Sequence, residues 1–217
     1  MLNTPVPDRL HGNQLRLPHD FGGNVFPAHV GTGHIQAHLF DGFWEDLGTI
    51  KSYHEVSLAL AEPDPPFDFF TAEGLIFTRM RNLPASRVNG ATLEQCTIAD
   101  GCVVGAGTRI EHCLIGVRSK VGRDCHLKDV VMIGSDRFET DADVADNRRT
   151  GRPSLNIGDG TAIEGAILDK DCRVGMNVRI TSAADKPDAD DPQERYYVRD
   201  GITCIPRGAV IPDGTAV

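Results

Sequence analysis

A mainly β fold, a left-handed parallel β-helix wound from six-residue units, is the fold class this sequence predicts, and three observations carry the prediction. A branched aliphatic recurs on a beat of six: Ile98, Val104 and Ile110; then Ile115, Val121, Leu127 and Ile133; then Ile157 and Ile163; then Leu168, Val174 and Ile180; and at the end Ile205, Ile211 and Val217. The beat restarts after each interruption, which marks an internal repeat. Small residues keep a fixed place in the unit. Cys102, Cys125 and Cys172 each fall four positions after a beat aliphatic, in the slot that Thr97, Thr108, Thr161, Val178 and Thr215 fill elsewhere.

Neither a helix nor an ordinary strand has that period. One short strand plus one tight turn does, and three such units close a triangular coil. The aliphatics then point inward and stack at the strand spacing of about 4.8 Å. Gly, Asn or Asp after the aliphatic suits a sharp corner because those residues tolerate positive φ. This phase buries Val121 and Val174. Cys96, Cys113 and Cys204 complete the cysteines, and none of the six shows C-x-x-C or His/Cys ligand spacing, so they read as reduced, packed thiols. That usage points to the cytoplasm.

Ahead of the coil the texture differs. Residues 35–40 read as a strand, and an amphipathic helix starts at about Thr49, with Ile50, Tyr53, Val56, Leu58 and Leu60 as apolar positions. Pro63, Pro65 and Pro66 stop that helix and make a linker. Two polar stretches, 134–156 and 181–201, are too long for corners and read as loops thrown out of the coil, with Asp188, Asp190 and Asp191 as a solvated acidic cluster.

A formal charge of −9 argues against nucleic acid as the main partner, because phosphate binding needs a basic face. No apolar run is long enough to cross a bilayer. His34 and His38, four residues apart on the expected strand, would stand about 13 Å from each other, too far to share one metal ion.

The stretch "FDGFWEDLGTIKSYHEVSLAL", with "FTRMRNLPASRV", "MIGSDRFET", "AILDKDCRVGMNVRI" and "YYVRDGITCIPRGAVIPDG" following in order, resembles the ADP-glucose pyrophosphorylases, the glucose-1-phosphate adenylyltransferases, and most of all their cyanobacterial and plant branch. The resemblance covers roughly residues 20–217; the first 19 match nothing recognisable. It implies a division into 1–66, a remnant strand and helix of an α/β nucleotidyltransferase catalytic domain plus linker, and 67–217, a β-helix for regulation and oligomerisation. The Gly-rich nucleotide loop, one metal-binding Asp and the Glu-Lys-Pro sugar-phosphate motif of such enzymes are not found in these 217 residues, so the chain is expected to be inactive alone.

What the resemblance implies for single residues is specific. Asp46 matches the acid that, with a second Asp, holds Mg²⁺ against the phosphates of ATP and glucose 1-phosphate. Taken by itself, Asp46 is a helix N-terminal acid favoured by the dipole, and Trp44 is a packing residue. Lys170 in "LDKD" and Arg207 in "IPRG" match two basic positions of an allosteric anion site for a phosphorylated metabolite effector such as 3-phosphoglycerate. Glu164 and Gly165, where the family usually has Lys-Arg, weaken the local positive field. A homo- or hetero-oligomer is implied as well. Two other functions fit the coil: a regulatory or oligomerisation subunit without catalysis, and a hexapeptide-repeat acyltransferase. In the latter His112 or His126 would act as general base.

Overall fold

A computed structural model describes residues 20–70, 74 and 76–217. The described residues divide into two compact units, one ending at Gly42 and the other running from Phe43 to Val217. In the first, Asp20 accepts a hydrogen bond from the Gly23 N–H and starts a π turn, Phe21–Val25, that runs into a short helix, Phe26–His29. No strand forms at 35–40. Ile35, Leu39 and Phe40 stand exposed, and a strand without a pairing partner has nothing to hold it. The unmatched first 19 residues lie outside the described ones.

In the second unit helix α1, Ile50–Ala59, begins where expected: Thr49 accepts from the Ser52 N–H at 3.0 Å while Ser52 accepts from the Thr49 N–H, a reciprocal cap. Strands β1 (Thr92–Ile98), β2 (Arg109–Ile115), β3 (His126–Met132), β4 (Ala162–Leu168) and β5 (Ile202–Ile205) stack in parallel. Two-residue strands at 87–88, 103–104, 120–121, 156–157, 173–174 and 210–211 make a separate parallel sheet beside them. Each seven-residue strand bends at its fourth residue, where Gln95, His112, Asp129 and Gly165 all have φ of 50–63°. Each therefore supplies two sides of the triangle and the short strand the third.

Three columns of aliphatics fill the coil: Val104, Val121, Ile157, Val174 and Ile211; Ile110, Leu127, Ile163 and Ile180; and Ile115, Met132, Leu168 and Ile205. Each fully buried aliphatic contributes about 1.5–3 kcal/mol. The third column corrects the expected phase. Met132, not Ile133, points inward opposite Ile115 and Leu168, because the bend at Asp129 shortens that step to five residues. Ile133 faces outward and, with Leu114, Val131 and Ile167, packs under Leu58, Ile50 and Tyr53 of α1. His54 Nε2 lies 2.9 Å from the Asp129 carbonyl oxygen in the same contact, and burial lowers its pKa.

Glycine after the inward aliphatic has a different reason from the one expected. Gly105, Gly122, Gly158 and Gly175 do not have positive φ; they stack on one another, and a Cβ on Gly158 would lie 2.7 Å from the Gly175 carbonyl carbon. Positive φ falls two residues later, at Gly107, Asp124, Gly160 and Asn177. In the slot that follows, Thr108 Oγ1 donates to the Gly122 carbonyl at 2.7 Å and Cys125 Sγ to that of Gly158 at 3.2 Å, so the corner takes a small donor. Thr97 is exposed and lies outside that slot. The six cysteines are free, five of them buried; burial pushes Cys204 to about 11 and Cys172 to about 12.

Both polar stretches leave the coil, yet neither is mere loop. The first carries helix α2, Asp141–Thr150, capped by Thr140 and closed by Gly151 at φ 69°. Its anchor is polar: Arg173, 4% exposed, donates to Glu139 at 2.8 Å and to the Pro153 carbonyl at 2.7 Å. The second forms antiparallel strands 189–190 and 197–199 that join β5. Asp191 is not solvated: its carboxylate is buried, accepts twice from Arg195 at 2.8 Å and accepts the Gln193 and Arg195 N–H groups. Asp188 accepts the Asp200 N–H and Asp190 pairs with Arg199.

The Arg195 guanidinium beside Asp191 holds its carboxyl at about 2. A carboxyl depressed in the folded state stabilises above its ordinary value near 4 and loses that contribution as pH falls toward 2. Amide protection at 189–199, taken relative to the intrinsic exchange rate at each pH, should therefore fall between about pH 4 and pH 2, and Asp191→Asn should flatten that dependence.

Candidate functional site

The coil's stacking brings the two sequence-predicted cations together. Leu168 and Ile205 pair in register, so Lys170 and Arg207, each two residues later, stand at one corner on successive rungs, and the Gly208 N–H donates to the Lys170 carbonyl at 2.9 Å. The rung spacing holds their backbones about 4.8 Å apart. Asp171, at φ 60°, makes the turn after Lys170, and its N–H donates to the Gly134 carbonyl at 3.1 Å.

Gly134, at φ 101°, is where the first excursion leaves the coil, one rung away at the same corner. Ser135 is buried there between the Val117 carbonyl and the Asn156 amide. The next residue, Asp136, folds back over the cations. Its Oδ1 accepts from Lys170 Nζ at 2.9 Å, its Oδ2 from Arg207 Nη2, and its N–H donates to Asp171 Oδ1 at 2.9 Å. Lys170 first, then Arg207 and Arg118, hold the Asp136 carboxyl below the usual carboxylate range.

Beside this pair opens a cleft of about 640 Å³ lined by Arg79, Arg81, Arg118, Asp136 and Lys170 together with Ile133. Arg118, at φ 59°, donates to the Ser135 carbonyl at 3.3 Å and lies 5.9 Å over the Phe138 ring. Five cations thus surround one cleft and its rim, suited to a multiply charged anion. Glu164 pairs with Lys128 at 3.8 Å and is not among the lining residues, so it does not oppose Lys170 directly.

The sequence does not by itself point to Arg79, Arg81, Arg118 and Asp136 as site residues. One signal was present: Arg118 holds the positive-φ corner position that Gly101, Asp171 and Gly208 hold on other rungs, an unusual place for a cation.

Asp46 lies exposed ahead of α1, and the first turn of that helix holds no acid, so Asp46 is not a helix N-terminal charge. Among the described residues no three His, Cys, Asp or Glu side chains gather around a metal position. Asp46 alone does not make a Mg²⁺ site, since that ion takes an octahedron of oxygen ligands. Trp44 is 74% exposed and does not pack as expected.

Of the two coil histidines, His112 is held by a close partner and His126 is not. His112 Nδ1 lies 2.6 Å from Asp129 Oδ1, while its Nε2 is buried without a hydrogen-bond partner, 3.6 Å from Glu62. Neither ring nitrogen is thus presented to an acyl acceptor in this structure. His126 is exposed and, among the described residues, reaches only Glu111, at 3.4 Å.

Comparison with known proteins agrees with this architecture. Residues 81–216 match the family described as the GLGC left-handed parallel beta-helix domain, which gives the coil its hand. Glucose-1-phosphate adenylyltransferase large subunit 1, chloroplastic/amyloplastic, of Zea mays is 40% identical over 199 residues. The alignment covers 92% of this chain and 38% of that protein, so the chain spans well under half of its relative's length. The coil, its phase and these matches together assign the chain to the GLGC left-handed parallel beta-helix domain family, with a glucose-1-phosphate adenylyltransferase large subunit among its relatives.

Proposed function

We propose that the chain is the effector-binding β-helix portion of a glucose-1-phosphate adenylyltransferase, the enzyme that converts ATP and glucose 1-phosphate to ADP-glucose and pyrophosphate. The observation that carries this reading is the corner where Lys170 and Arg207 stand one rung apart beside a cleft lined by three arginines. A phosphorylated three-carbon acid such as 3-phosphoglycerate offers such a cleft a dianionic phosphate and a carboxylate, both able to take charge-assisted hydrogen bonds. In a complete enzyme Asp46 would supply one carboxylate to Mg²⁺. The exposed side chains Trp44, Phe70, Phe77 and Met80 would meet the nucleotide-binding portion or a neighbouring subunit of an oligomer. Cytoplasmic residence belongs to the same reading and is supported by the six free thiols.

The test joins the chain to the nucleotide-binding portion of such an enzyme and measures pyrophosphate release against 3-phosphoglycerate. Lys170→Ala and Arg207→Ala should each raise the half-activating concentration several-fold. Lys128→Ala, whose lysine pairs with Glu164 away from the cleft, should leave it in place. The unfused chain, run as the control, should release none. Identical activation curves for Lys170→Ala, Arg207→Ala and the unaltered fusion would remove the assignment.

A further inference from the structure

We propose that Asp136 is a built-in competitor for the anion site, a carboxylate of the chain itself that occupies the position between Lys170 and Arg207 and must be displaced before a ligand binds both. This rests on reading the corner as an anion site and adds how its affinity is set.

The contacts are those of a bound anion. One oxygen takes the Lys170 ammonium at 2.9 Å and the other takes the Arg207 guanidinium, so a single carboxylate bridges two cations on successive rungs. An incoming phosphate needs the same donors. Among the described residues Asp136 is the only acid lining the adjoining cleft, whose other charged residues are Arg79, Arg81, Arg118 and Lys170; outside it Asp171 Oδ2 lies 3.6 Å from Arg207.

The geometry also gives the carboxylate a way out. The backbone of Asp136 is tied down, its N–H on Asp171 Oδ1 at 2.9 Å and the preceding Ser135 on Val117 and Asn156. Its side chain is 45% exposed and turns on two torsions only. Releasing the cations therefore requires a rotamer change, on the scale of nanoseconds, and no movement of the excursion. Lys170 and Arg207 are themselves 39% and 61% exposed, so they stay solvated when the carboxylate leaves.

The two ion pairs are solvent-facing, and each is expected to contribute only modestly. Together they lower the apparent affinity for a competing anion by about tenfold. A singly charged ion then gains too little to displace Asp136, whereas a phosphomonoester dianion gains from five cations.

The experiment titrates inorganic phosphate and sulfate into the purified 217-residue chain by calorimetry at low ionic strength, with circular dichroism confirming the fold of each variant. Asp136→Asn and Asp136→Ser should bind phosphate about tenfold more tightly than the unaltered chain, and Asp136→Glu should not. Adding Lys170→Ala to Asp136→Asn should abolish the gain. Glu164→Gln removes the same charge outside the cleft and should change nothing. If Asp136→Asn binds no more tightly while Lys170→Ala loses binding, the competitor role is wrong and the anion site stands. If Glu164→Gln tightens binding equally, net charge is the cause and the proposal fails. Absence of phosphate and sulfate binding in every variant would overturn both the competitor and the site.

Discussion

Val174→Asp is expected to remove the protein from the soluble fraction altogether. Val174 is 1% exposed, paired in register with Ile157 on one side and Ile211 on the other, in the middle of the coil's aliphatic columns. A carboxylate there would be surrounded by hydrocarbon with no cation in reach. Burying it costs several kcal/mol, charged or protonated. A domain whose whole stability is of order 5–15 kcal/mol does not tolerate that at every rung it touches. Asp190→Ala provides the contrast, because that side chain is 73% exposed and holds one surface ion pair with Arg199. It should be expressed and melt normally. Comparable soluble yields of the two variants would mean that the inward phase is misassigned.

Gly158→Ala should be the next most damaging substitution and the more surprising, since it adds one methyl group. The new Cβ would meet backbone atoms of Gly175 and Met176 at 2.7–2.8 Å, and these cannot swing aside as a side chain can. Relief requires the rungs to separate, which breaks parallel hydrogen bonds on both sides. Urea denaturation should show a loss of about 3 kcal/mol or more, at the upper end of overpacking effects. Gly151→Ala separates this cause from backbone strain: its φ is 69°, yet a Cβ there meets nothing within 4 Å. About 1 kcal/mol is expected for it. Equal losses at the two sites would show that the glycine stack is not tight.

The aliphatic beat made the coil legible because each inward residue has the same surroundings on every rung. The five-residue step was harder to see. It depends on a bend inside a strand, and its residues, Gln95, His112, Asp129 and Gly165, share no chemical type. Hence the beat of six puts Ile133 inward and passes over Met132. Helix α2 escaped notice because it has no apolar stripe; what holds its excursion is the ion pair of Glu139 with Arg173, and residues 34 apart in sequence reveal no pairing by themselves. Asp191 looked like part of a solvated cluster because sequence does not show which of three neighbouring acids turns toward its own hairpin. The strand expected at 35–40 has suitable residues, but pairing is a property of a partner and not of composition.

At the candidate site, resemblance supplied Lys170 and Arg207, and their juxtaposition then follows from rung register. Asp136 could not be anticipated, because its position depends on where the chain leaves the coil, at Gly134, and on the direction of departure. Arg79 and Arg81 come to the cleft from a segment without regular structure and with no repeat to place them.

The regular pairing of the rungs makes the length of this molecule a quantised property. Arg109 pairs with His126, and Ala162 with Arg179, each seventeen residues further along, while the two excursions add nineteen or twenty residues without disturbing the register beyond them. A stretch of seventeen is thus a storey: taken out whole, it would lower the building by one floor and leave every column aligned. Taken out in part, it would rotate everything above it, and the two cations at the upper corner would no longer face the same side as the arginines below. Whatever selects the position of the charged corner therefore acts on the chain in whole storeys, like a gauge block and unlike a hinge.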